Sequence, residues 1–115
     1  MRLTFRSGSV LPIALAVLLG SAVAFADDSP LKAWMKTNMG AQKASNDFPG
    51  LVKAFDKMAA WVPDPAWTEW AAISKQGSAA AKSQDKDGVK ASCNGCHKKY
   101  KDEYKAKYAS KVPPP

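Results

Sequence analysis

The stretch GVKASCNGCHKKYKDEYKAKY, residues 88–108, holds both cysteines and the only histidine of a chain of 115 residues. Val89, Cys93, Cys96, Tyr100, Tyr104 and Tyr108 recur at intervals of three and four, with His97 beside them. That is the period of one helix face. Upstream, the same period returns three times. AWTEWAAISKQGSAAAKSQ (66–84) carries Trp67, Trp70, Ala71, Ser74, Gly77 and Ala81. FPGLVKAFDKMAAWV (48–62) carries Phe48, Leu51, Val52, Phe55, Met58, Ala59 and Val62. SPLKAWMKTNMGAQK (29–43) carries Leu31, Met35 and Met39, flanked by Trp34. Ser29 is a good N-cap and Pro30 suits the first helical position. Pro63-Asp64-Pro65 and the polar run SQDKDG (83–88) break the pattern. Val, Ile and Thr are sparse after residue 30 while Ala and Lys abound, which disfavours strands. The expected fold is all-α: an antiparallel four-helix bundle, one domain over 27–115, with the cysteine-bearing helix last.

The first 26 residues read differently. Arg2 and Arg6 precede an apolar run centred on Val10–Leu19, and Ala24-Phe25-Ala26 is a small-x-small cleavage pattern. This is the layout of a cleaved secretory signal peptide, residues 1–26. An uncleaved anchor is the rival reading, although a membrane span wants roughly 20 apolar residues. Export places the mature chain in the periplasm, with no stable membrane insertion after cleavage. Both arginines leave with the signal, so the remaining basic residues are all lysines. Lysine alone is poorly suited to bidentate recognition of phosphate or bases, and no nucleic acid is expected as a partner.

Cys93-Asn94-Gly95-Cys96-His97 fits C-x-x-C-H, the attachment pattern of c-type haem. On a helix, residues i, i+3 and i+4 share a face, so two thiols and an imidazole converge on one patch. Each thiol can add to a haem vinyl group, and the adjacent imidazole can reach the iron from below. Small residues at Asn94 and Gly95 let a flat macrocycle lie close. A disulfide between Cys93 and Cys96 would close too small a loop to stabilise much. A dithiol redox motif wants a βαβ context, absent here, and structural zinc wants a fourth ligand that is not evident. One covalent haem c, held by Cys93, Cys96 and His97, is therefore expected. It would also supply apolar bulk to a domain too small to bury a large core.

No second histidine exists, so the other side of the iron falls to methionine, lysine, water or nothing. Met35 is the favoured ligand and Met39 the second choice, against a background in which methionines simply fill cores. A methionine ligand raises the reduction potential and suits electron transfer, whereas an open position suits nitric oxide or carbon monoxide.

The stretch SAAAKSQDKDGVKASCNGCHKKYKDEY (78–104) resembles the class II c-type cytochromes, the cytochrome c′ group. The points of likeness are the motif near the C-terminus, Tyr100 three residues after the histidine, and the alanine-rich helix and acidic loop before it. LKAWMK (31–36) is similar to the stretch that faces the iron in that group. The resemblance implies a four-helix bundle with the haem motif on the last helix. It also implies Met35 as sixth ligand in a low-spin member, and a homodimer through the first two helices as one option. This chain is shorter than most of the group, with Lys101 and Leu31 where arginines are common.

Lys98, Lys99, Lys101, Lys105 and Lys107 crowd the last helix near the motif. They read either as a solvated face relieved by Asp102 and Glu103, or as a rim steering an acidic redox partner. Catalytic acid–base pairs and phosphate-binding glycine loops are missing, so nothing argues for an enzyme. A periplasmic one-electron carrier is the expectation, with a five-coordinate gas-binding haem protein as the alternative.

Overall fold

The computed structural model describes residues 29–114, all helix and connection with no strand among them. The expected signal peptide lies outside the described residues. Of the helices described, none is long and apolar enough to cross a membrane. The first helical stretch comprises α1 (Pro30–Met35), a π-helical segment (Lys36–Gly40) and α2 (Ala41–Ser45). Right-handed helical backbone at Met35, Lys36, Gly40 and Ala41 carries the stretch through without a break. Then come α3 (Phe48–Ala60), α4 (Trp70–Lys82) and α5 (Lys86–Lys107).

Local chemistry sets the ends. The Ser29 hydroxyl accepts from Lys32 N–H at 3.2 Å, with Pro30 following in the first turn. Asn46 ends α2 in the left-handed region (φ 55°), which asparagine tolerates better than most residues. Asp47 caps α3 and Asp85 caps α5, each accepting an N–H three residues on at 3.0 Å. Such caps contribute about 1 kcal/mol each. The third helix starts later than its period predicts. Trp67 N–H bonds to the Asp64 carbonyl and Ala66 N–H to the Asp64 carboxylate, which holds residues 64–67 in a turn. Trp67 thus enters the core from a connection rather than from a helix face.

The four helical stretches pack in chain order. α3 lies along α4, α4 along α5, and the first stretch meets α3 through its π segment and α2. Among the described residues, no Cα of α1, the π segment or α2 comes within 8 Å of one in α5. Two serine hydroxyls are among the groups that tie the packed helices together. The Ser78 hydroxyl donates to Asp56 Oδ1 at 2.6 Å, tying α4 to α3. The Ser92 hydroxyl donates to the Ile73 carbonyl at 3.1 Å, tying α5 to α4.

The core has two parts. One gathers Leu31, Trp34, Met58, Trp67, Trp70, Tyr100 and Tyr104; the other gathers Leu51, Phe55, Ala81 and Val89. Gly77 sits under the Phe55 ring, and a Cβ there would collide with the ring carbons. The missing side chain at Gly77 is what lets Phe55 approach the α4 backbone. Gly77→Ala gains about 1 kcal/mol of helix propensity, but overpacking costs roughly 1–3 kcal/mol. The expected result is a net loss of about 1 kcal/mol in urea unfolding. The loss should vanish when Phe55 is also replaced by leucine; a G77A protein as stable as wild type would show that the ring moves freely.

Candidate functional site

Ser92 sets the rotation of α5. With its hydroxyl bound to α4, the next residues on that side of the helix face the gap beside the first helical stretch. Cys93 and Cys96 face it, and His97 stands at its edge. Both cysteines are free thiols, partly buried.

The gap is a slot with two lobes. The upper lobe, about 300 Å³, is bounded by Met35, Met39, Leu51, Phe55, Met58 and Cys93, among others. The lower, about 370 Å³, is bounded by Leu31, Tyr100 and Tyr104. Met35, Lys36, Trp70, Cys96 and His97 line both lobes and form the waist. Each lobe falls at the low end of the roughly 300–1,000 Å³ usual for small-molecule sites. Among the described residues, no acidic side chain lines either one. Lysines stand along both edges: Lys36 and Lys43 from the first stretch, Lys101 and Lys105 from α5.

The electrostatics follow from this setting. Burial pushes the Cys96 thiol up to about 11, with Cys93 next to it adding to the effect. Burial raises Cys93 as well, with Lys43 opposing. Both therefore stay neutral thiols near pH 7. A nucleophilic or thiolate-ligating pair needs the opposite shift. His97 keeps an exposed surface, yet partial desolvation lowers its pKa, helped by Lys101 and Lys43. Its imidazole is thus held in the neutral, ligand-competent form. Among the described residues, no three His, Cys, Asp or Glu side chains are grouped to hold a bare metal ion.

The five residues singled out from sequence converge here. Met35 shares the waist with Cys96 and His97, while Met39 and Cys93 border the upper lobe. Met35 and Met39 are half-buried, not sealed in the core; Leu31 and Trp34 take that place. The π segment begins directly after Met35 and contains Met39, and such segments concentrate at functional sites. Trp70 is a wall common to both lobes, a role the sequence suggested for the tryptophans as a group; sequence reasoning missed Met58 in the upper lobe, and Lys36 and Lys43 at the edge. Lys36 and Lys43 lie seven residues apart, two helical turns, a spacing that could have placed them on one face. Of the lysines it had grouped, Lys99 instead pairs with Glu69 on the surface.

Comparison with protein-family models, with characterised proteins and with solved structures gives no match.

Proposed function

We propose that the chain is an exported monohaem c-type cytochrome that carries single electrons, built as an antiparallel four-helix bundle of the class II type. The observation that carries this reading is the slot and what faces into it. Two neutral thiols and a neutral imidazole on one helix face open into an apolar gap, and a thioether, Met35, borders the same gap from the helix opposite.

The residues fit one covalent haem c. Cys93 and Cys96 would hold it through thioethers, and His97 and Met35 would be the side chains that ligate the iron. When bound, that group supplies a one-electron couple at its iron. A Cβ at Gly95, between the cysteines, would meet nothing within 4 Å, so packing within the chain makes no demand for glycine there. Absence of a side chain at Gly95 instead leaves room beside the thiols. The lysines along the edges suit carboxylates, whether carried by the cofactor or by an acidic docking partner. Apolar walls from Leu51, Phe55, Met58 and Trp70 would exclude water and keep the local dielectric low, which makes each edge charge count for more.

Met35→Ala decides between electron carrier and gas binder. The oxidised wild-type protein is expected to show a methionine–iron charge-transfer band and low-spin magnetic signals. Met35→Ala should lose both and acquire affinity for carbon monoxide; Met39→Ala should keep them. Low-spin spectra in M35A with loss in M39A would transfer the role to Met39. A high-spin wild-type spectrum would favour the five-coordinate, gas-binding reading.

A further inference from the structure

Behind the slot, six aromatic side chains touch in a continuous cluster. Several ways lead through it; one starts at Trp70, in the wall of both lobes and itself 5.7 Å from Trp67. The Trp70 and Tyr100 ring centroids are 5.7 Å apart. Tyr100 stacks on Trp67 at 4.7 Å, and Trp67 meets the Tyr108 ring edge-on at 5.4 Å. The first three are buried; Tyr108 is half-exposed at the end of α5.

The phenols differ in what they donate to. Tyr104 donates to the Lys111 carbonyl at 3.5 Å, a group unable to take up a proton. Tyr108 donates to Asp64 Oδ2 at 2.5 Å, the short distance of a bond to an ionised carboxylate. That bond holds the Asp64 carboxyl below its usual pKa and the phenol above its own. A carboxylate aimed at a phenol, at the outer end of an aromatic path from a slot, is more than core packing requires.

We propose that Tyr108 is a one-electron redox site of this chain, linked to the slot through Trp67, Tyr100 and Trp70, with Asp64 as its proton acceptor. An oxidising equivalent that reaches Trp67 as an indole radical cation takes one electron from Tyr108. The phenol O–H bond breaks and its proton passes to Asp64 Oδ2. The products are intact indole, a neutral phenoxyl radical and a protonated carboxyl group, so charge and electrons balance. A thiol or enediol reductant returns the electron at the surface, and Asp64 returns the proton. The relay would drain oxidising equivalents away from Met35, Met39 and Met58. The inference rests on the proposed function only for the source of the oxidant inside the slot.

The test supplies its own oxidant, the azidyl radical, which becomes azide on taking one electron from an indole. It uses the purified full protein with either natural or ring-deuterated tyrosine, freeze-quenched for electron paramagnetic resonance. Failure to find haem in that protein would defeat the cytochrome reading and leave this measurement intact. In wild type the indole radical should give way to a tyrosyl signal that changes on deuteration. Tyr108→Phe should remove most of that signal and prolong the indole radical. Asp64→Asn, which keeps Tyr108, should slow its formation on the order of a hundredfold, the scale of losing a positioned proton acceptor. A tyrosyl signal unchanged in Y108F would put the radical on Tyr100 or Tyr104 and overturn the proposal. Equal rates in D64N and wild type, with both folded by circular dichroism, would overturn the role of Asp64.

Discussion

Replacing Cys93 and Cys96 together by alanine is expected to abolish covalent haem. Expressed as the full 115-residue chain in a host that matures c-type cytochromes, wild type should run as a haem-staining band on a denaturing gel. Intact mass should exceed the mature chain by one haem. The double variant should show neither. His97→Ala should differ from it, keeping some covalent haem while losing the low-spin spectrum, because thioethers and axial ligand are separate bonds. The contrast matters because the thiols alone support other chemistry in principle. Their raised pKa, up to about 11 at Cys96, weighs against a dithiol redox pair. An unstained wild-type band, with Cys93 and Cys96 found as a reducible disulfide, would sink the haem reading and restore that alternative.

Trp70→Ala carries the largest expected cost to stability. Trp70 is 3% exposed and packs against Trp61, Trp67 and Tyr100. Its Nε1–H donates to the Met58 carbonyl at 2.8 Å, joining α4 to α3 inside the core. Removing a buried tryptophan side chain costs about 3–5 kcal/mol through lost transfer energy and the cavity left behind. Total stability for a domain is only about 5–15 kcal/mol, and small domains sit near the bottom of that range. Trp70→Ala should therefore be largely unfolded, or unfold at far lower urea, followed by helical circular dichroism. Trp70→Phe separates the parts. It keeps much of the ring but loses the hydrogen bond, worth about 1 kcal/mol, together with some packing. A small loss in W70A would mean that the cluster repacks around the gap, and the slot with it.

The helices and the motif face were legible in the sequence because both are local. A period of three to four gave α3, α4 and α5 within a few residues, and C-x-x-C-H has one geometry on a helix. Ser29, Pro30 and Asp85 act within one turn, so their chemistry is also written locally. What could not be read depends on pairing across the chain. Nothing near Gly77 names Phe55 as its neighbour, since they meet only when α3 lies along α4. Trp67 looked like part of a helix face, and the Asp64 turn that removes it depends on two hydrogen bonds within a proline-flanked corner. Lys99 looked like part of a basic rim until Glu69 came beside it. That exposed pair is worth little to stability, but it takes one charge out of the rim. The π segment has no propensity signature at all.

The slot also bears on how the chain can assemble. α3 with α4, and α4 with α5, are neighbours in sequence as well as in space. Contacts of short sequence separation close small loops and form fast. The meeting of the first stretch with α5, mediated by side chains around the slot, is a closure of long sequence separation, with the backbones kept apart. The first stretch also packs on its sequence neighbour α3, so what closes late is its contact with α5 across the slot. The thiol face of α5 can therefore stay uncovered until that last closure, like a door hung after the furniture has been carried in.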